Sequence, residues 1–181
     1  LANLLASPAV RLHGGAGSAT SGNAADLFIV HSPADHPEDK KVALRDMSRA
    51  HVCARGRAPT VWVDALCADP LMMPLERLQH LPTYIARCSK LLLLCSPALV
   101  DSLRTVLEMY AWRASGGVPE DVQCLLVAPR SLTPAQRKAR WDATIAAFDT
   151  FHVMYARSEL PDERERATHA IQLATVSHFN E

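Results

Sequence analysis

Four acidic or imidazole side chains follow predicted strands and could do chemistry at one edge of a sheet. Glu108 lies on a predicted helix after residues 91–95, an unbroken apolar run that indicates a strand buried on both faces. His31 and Asp35 follow another such run, and Asp64 follows a third. Parallel α/β sheets bind their ligands at the carboxyl ends of the strands. We therefore expect these four side chains to bound any ligand cleft of the fold.

The polar group after the first predicted strand has three interpretations. His31, Asp35, His36 and Asp39 could contact a nucleotide, could bind a metal ion, or could form a solvated loop that starts a helix. Their spacing matches no strong metal signature, so we predict no metal site. The solvated loop is the simplest interpretation, although His31 and Asp35 are well placed for a nucleotide.

Neighbouring residues disfavour two further chemical roles, a phosphoacceptor at Asp64 and a thiol nucleophile at Cys67. Asp64 could be a phosphoacceptor, but a receiver-like domain carries that aspartate after its third strand and a lysine after its fifth, where this chain has Ser96 and Arg157. Cys67 and His31 could form a thiol–imidazole pair, but no third group orients them. We expect Asp64 to cap its loop and a lone cysteine to be a small buried apolar residue.

The composition excludes several classes of function. The chain has 181 residues, of which 49% are apolar, enough to bury a substantial core. Its 19 acidic and 19 basic residues cancel, which argues against a nucleic-acid or anionic-membrane binder. No apolar stretch approaches the ~18 residues of a membrane span. Five scattered cysteines without a CxxC pair indicate reduced thiols, so we predict a reducing, cytoplasmic compartment.

Strands and helices alternate along most of the chain. The glycine-rich residues 1–24 are typical of an extension or linker, and residues 25–181 are predicted to form one domain. Strands are predicted at residues 26–31, 60–63, 91–95, 123–128 and 151–155, and helices at 38–54, 74–89, 102–115, 134–148 and 161–178. This alternation predicts an α/β, flavodoxin-like three-layer fold with helices on both faces. We expect a five-stranded parallel sheet of order 2-1-3-4-5.

Four segments carry motifs that resemble those of the Toll/interleukin-1 receptor (TIR) domain family, in particular the divergent TIR-like domains of protists. The segments are residues 28–32 (FIVHS), 59–67 (PTVWVDALC), 81–97 (LPTYIARC and the strand after it) and 103–109 (LRTVLEM). The resemblance spans about residue 25 to the C-terminus. The chain departs from the family pattern at Val30, Pro33, Ala68, Pro70, Arg104 and Thr105. These departures gather around the expected ligand cleft.

One implication of the resemblance is enzymatic. Some TIR domains cleave NAD⁺ with a glutamate on the helix after the third strand, and Glu108 falls at that position. Its carboxylate could stabilise the oxocarbenium-like centre that forms when the nicotinamide–ribose bond breaks, without a metal ion. His31, Asp35 and Asp64 would then contact NAD⁺ as substrate. The alternative is that Glu108 pairs with Arg104, one helical turn earlier on the same face.

The other implication is assembly. Many TIR domains are adaptors that associate through the loop after the second strand. In this chain that loop holds an apolar set, Leu66, Cys67, Leu71, Met72 and Met73, which either forms an assembly surface or folds back onto the core. We predict a non-catalytic interaction or scaffold module without a cofactor, one piece of a larger protein or assembly, whose partners are proteins such as other TIR-like domains. An NAD⁺ glycohydrolase that uses Glu108 is the alternative.

Overall fold

The computed structural model describes residues 11–12, 25–63, 67, 71, 74–158 and 164–165. The strands are β1 (Arg11–Leu12), β2 (Ala25–His31), β3 (Thr60–Trp62), β4 (Cys88–Cys95) and β5 (Val122–Leu126). The helices are α1 (Pro37–Arg55), α2 (Pro74–Ile85), α3 (Leu103–Ala114) and α4 (Pro134–Asp149), and 3-10 helices lie at Leu99–Asp101, Pro119–Asp121 and Val153–Tyr155. The predicted last helix lies almost entirely outside the described residues.

The strands form one parallel sheet of order β1-β3-β2-β4-β5. This result confirms the α/β class and, for the first four predicted strands, the order 2-1-3-4. β2 and β4 lie in the middle, with Phe28 beside Leu91 and His31 beside Leu94. The two central strands therefore end at the same level, which brings the loops that follow them together.

The predicted fifth strand, residues 151–155, is wrong. Val153–Tyr155 is a 3-10 helix whose first turn is capped by His152, because its Nδ1 accepts the Met154 amide at 3.3 Å. The apolar side chains of this turn pack against Leu103 at the start of α3. Among the described residues, the sheet thus has four strands of three or more residues, and the two-residue β1 extends it at the β3 edge.

The continuous apolar runs are explained by two clusters, one on each face of the sheet. The first consists of Leu27, Ile29, Val61, Val63, Leu92, Leu94 and Val127 with Leu44 of α1. The second includes Phe28, Val30, Trp62, Leu91, Leu93 and Cys95 with Leu81 and Ile85 of α2 and Trp112 of α3. Helices therefore cover both faces, and neither side of the central strands can carry a polar residue without a partner.

One carboxylate joins the amino ends of β2 and β3. Asp26 accepts two hydrogen bonds from the Arg57 guanidinium, both of 2.6 Å, and one of 2.7 Å from the Thr60 amide. The guanidinium holds the pKa of Asp26 below its usual range, with burial acting in the opposite direction. Parallel α/β sheets bind their ligands at the opposite, carboxyl end of the strands.

Candidate functional site

The loop after β2 is shaped by short-range hydrogen bonds. Ser32 turns the chain because its Oγ accepts the Ala34 amide at 3.2 Å. His36 then caps α1, since its Nδ1 accepts the Glu38 amide at 3.3 Å, and Pro37 occupies the first helical position. These bonds fix the position of Asp35 between the end of β2 and the start of α1.

Asp35 is buried, with 7% of its surface exposed, and three elements hold it. Ser96, in the loop after β4, donates its hydroxyl to Oδ2 at 2.9 Å. Arg140 of α4 places Nη2 3.9 Å from Oδ1, and Lys40 of α1 adds a second nearby positive charge. Burial raises the pKa of Asp35, and the Ser96 hydroxyl and the two cations lower it in part. Both oxygens of this carboxylate therefore face protein groups.

The two cations are themselves anchored to strand ends. Lys40 is buried and donates its Nζ to the Ser32 carbonyl at 2.9 Å. Arg140 donates Nε to the Val127 carbonyl, just beyond β5, at 2.6 Å. Burial lowers the pKa of Lys40, and the carboxylate of Asp35 offsets this. We call Asp35, Lys40, Ser96 and Arg140 the edge network, because together they join the carboxyl ends of β2, β4 and β5.

His31 lies beside the edge network and is neutral at neutral pH. Burial lowers the pKa of its imidazole to about 4, and the positive charges of Lys40 and Arg104 act in the same direction. The contact of 3.3 Å between Nδ1 and the Ser32 carbonyl raises the pKa only in part. A neutral imidazole can exchange hydrogen bonds with a ligand but supplies no positive charge for a phosphate.

Glu108 is buried as well, with 6% of its surface exposed. The Arg104 Nε lies 3.5 Å from Oε1 of Glu108, in the i,i+4 geometry of a helical ion pair. The side chain of Arg104 remains about one-third exposed, so this ion pair lies at the border of the core. Pairing with Arg104 is the alternative to a catalytic role that the sequence predicts for Glu108.

Thr105, which departs from the family pattern beside Arg104, also has structural partners. Its hydroxyl contacts the carbonyl of Leu99 and that of Ser102, the latter at 2.8 Å. These contacts fasten the first turn of α3 to the 3-10 helix after β4. Thr105 therefore helps to position the helix that carries Glu108, whereas Arg104 pairs with Glu108 within that helix.

The other predicted site residues fall into two groups. Asp64, Leu66, Met72 and Met73 lie outside the described residues. Cys67 is buried, and its sulfur accepts the Val63 amide at 3.3 Å, whereas Leu71 has 89% of its surface exposed. Of the predicted interaction loop, the described part thus contains one residue that packs inward and one that faces solvent.

Three members of the edge network were not predicted. The inward orientation of Lys40 could be inferred from the sequence, because Lys40 precedes the buried Leu44 by four residues and so lies on the same face of α1. No sequence pattern indicates the roles of Ser96 and Arg140. Their contacts with Asp35 span 61 and 105 positions of the chain, and no local pattern encodes such a pairing.

A cavity of about 150 Å³ lies away from the edge network. Its walls include Val100, Asp101, Thr150, Phe151, His152 and Tyr155. The volume is below the roughly 300–1,000 Å³ of most small-molecule sites. Across the described ranges, no set of three or more His, Cys, Asp and Glu side chains is grouped to hold a metal ion, and no helix is long and apolar enough to cross a membrane.

Comparison of the chain with protein-family models, with curated proteins and with solved structures finds no match. The likeness to TIR domains therefore rests on the motifs given above, and function has to be argued from the site.

The neutral state of His31 predicts a pH dependence of stability. An unfolded chain binds a proton at this position below about pH 6.5, whereas the folded chain does so only near pH 4. Stability is therefore lost as the pH falls from 6.5 to 4, by about 2–3 kcal/mol from this residue. We expect His31→Gln, which cannot titrate, to show a smaller loss in urea unfolding between pH 7 and pH 4. Asp35, whose pKa is raised, contributes a gain of stability over the same pH range, and it does so in both proteins. Equal losses in the wild type and in His31→Gln would therefore contradict a neutral, buried His31.

Because Glu108 pairs with Arg104, removal of its negative charge should lower the free energy of unfolding. We expect Glu108→Gln to lower the free energy of unfolding by about 1–3 kcal/mol, because a partly buried guanidinium loses its counter-charge. The matched control is Asp142→Asn, which removes an exposed i,i+4 pair with Lys138, whose Nζ lies 2.7 Å from the carboxylate. We expect that control to cost less than about 0.5 kcal/mol. Equal effects in urea unfolding would show that Glu108 is not engaged in a buried pair.

Proposed function

We propose that this chain is a non-catalytic, TIR-like interaction or scaffold module that acts as one piece of a larger protein or assembly in a reducing compartment. The observation that carries the proposal is the state of Glu108. The carboxylate at the position where the resemblance expects a catalyst is 6% exposed and paired with Arg104. A nucleotide that reached this carboxylate would have to compete with Arg104 for it.

The edge network supports the same proposal from the other side of the expected cleft. A ribose or phosphate contact with Asp35 would compete with the hydrogen bond of 2.9 Å from Ser96 and with the charges of Arg140 and Lys40. Each displaced hydrogen bond to a charged group is worth about 1.5–3 kcal/mol. A ligand would have to recover that free energy through new contacts, and neutral His31 offers no charge for the purpose.

The proposed partner surface is the loop after β3. Leu71 is a large aliphatic residue with 89% of its surface exposed, in the loop through which the resemblance expects association. Loops at the carboxyl ends of parallel strands are the usual carriers of function in such folds. A large exposed aliphatic side chain such as Leu71 suits the apolar centre of a protein–protein interface.

We expect Leu71→Glu to weaken self-association, because the substitution puts a charge into the apolar centre of the proposed interface. Sedimentation velocity over a concentration series measures the effect, and we expect at least a roughly tenfold rise in the dissociation constant, typical of a buried interface anchor. The matched control is Tyr155→Glu, at a residue that is 82% exposed and lies outside this loop. Association of Leu71→Glu at the wild-type strength, or a wild-type chain that stays monomeric throughout, would contradict the proposed surface.

A further inference from the structure

In the part of the chain that the structure describes, the outer edge of β5 has no strand beside it. β5 pairs with β4 on one side and ends the sheet on the other. A strand in this position presents a row of backbone N–H and C=O groups that can pair with another chain. The sequence of β5, VQCLL, has no charged residue and no proline, so the side chains that usually protect an edge strand are missing from it.

The backbone of β5 alternates between β4 and this open edge. The Val127 amide, just beyond the strand, donates to the Cys95 carbonyl of β4 at 2.8 Å. Backbone groups of successive residues point to opposite sides of a strand, so every second residue before Val127 also points to β4. The residues between them point outward, and these are Val122, Cys124 and Leu126.

The two faces of β5 are also incompletely covered. Gln123 and Cys124, whose side chains point to opposite faces, are both exposed, and the other three residues are half-buried. The neighbouring strand β4, in contrast, is buried from Leu91 to Cys95. Strands of a parallel sheet are normally covered on both faces. The edge strand therefore has surface that a second molecule can bury.

We propose that the β5 edge pairs with the β5 edge of a second copy of this chain, antiparallel and about a twofold axis at Cys124. In that register Cys124 faces Cys124 of the second copy, and Val122 faces Leu126. Because the outward residues lie symmetrically about position 124, each outward N–H meets an outward C=O, as in the hydrogen-bonded pairs of an antiparallel ladder. Closed twofold contacts are also the commonest symmetry of homo-oligomers.

The charges beyond the two ends of β5 favour this arrangement. Glu120, which is exposed, precedes the strand, and Arg130 follows it. Antiparallel pairing brings the acidic end of each copy beside the basic end of the other, whereas parallel pairing would set like charges side by side. Arg130 also contacts Asp46 at 3.0 Å, but its side chain is 57% exposed and can accept a second acidic neighbour.

This contact is separate from the proposed interface at Leu71. β5 and β3 lie toward opposite edges of the described sheet, so one copy can use both surfaces at once. The inference depends on the backbone and charges of β5 and is independent of the proposed function. Two surfaces on one chain would link copies into an extended assembly, whereas β5 alone gives a closed dimer.

Amide hydrogen exchange of the full chain, followed residue by residue by NMR over a dilution series, tests the pairing. The amides of Val122, Cys124 and Leu126 should be protected at high concentration. We expect them to exchange at least about tenfold faster once dilution separates the copies, as checked by sedimentation velocity. The Leu125 amide is the internal control, because its bond to β4 needs no second copy.

Exchange that does not depend on concentration would overturn the proposal. Fast exchange throughout would show an edge that stays open, and slow exchange throughout would show an edge covered by the chain itself. The same series with Leu71→Glu separates the two interfaces. The β5 pattern should persist in that variant even if the loop after β3 makes no contact.

Variants at the twofold axis test the register. Cys124→Lys places two positive charges directly opposite each other, and Cys124→Glu places two negative charges there. We expect each alone to raise the dissociation constant at least roughly tenfold, and an equimolar mixture to recover association because opposite charges then meet. Cys124→Ser, which stays uncharged, should associate as the wild type does.

Association of both charged variants at the wild-type strength, or no recovery in their mixture, would overturn the pairing about Cys124. If a charged variant does not fold, the dilution series of the wild-type chain decides.

Discussion

The hydrogen bond from Ser96 to the buried carboxylate of Asp35 joins the loops that follow the two central strands. Both loops start at the same level because β2 and β4 are in register up to His31 and Leu94. A carboxylate removed from water is costly unless donors and opposite charges surround it. Lys40 and Arg140 supply those charges and are tied in turn to the ends of β2 and β5. Among the described residues, the ends of β2, β4 and β5 are thus joined by their own polar groups.

The same physical requirement governs the residues nearby. Glu108 is buried, so it has Arg104 beside it, and the positive charge of Arg104 helps to keep the neighbouring His31 neutral. Two acids of the expected cleft, Glu108 and Asp35, thus lie beside the bases Arg104 and Arg140. This pairing is why we favour an interaction module over an enzyme: the described acids of the expected cleft, Asp35 and Glu108, have protein partners, and exposed Leu71 offers a contact surface.

Much of the fold could be predicted from the sequence because its signals are local. The unbroken apolar runs gave β2 to β5, and their alternation with helices gave the 2-1-3-4 order. The strand predicted at residues 151–155 is wrong, since a short segment with four apolar residues and His152 does not distinguish a strand from a helical turn that packs on α3. The Arg104–Glu108 pair was foreseen as one alternative from its i,i+4 spacing. The edge network was not, because Ser96 and Arg140 reach Asp35 only through the tertiary fold.

The most direct test is whether the chain cleaves NAD⁺. The full chain, at the highest concentration at which it stays in solution, is incubated with NAD⁺, and nicotinamide is quantified by chromatography over time. The Glu108→Ala variant, at the same concentration, is the control. A non-catalytic module should release no more nicotinamide than this variant. Release by the wild-type chain that disappears in Glu108→Ala would contradict the assignment of Glu108 as a structural ion-pair partner.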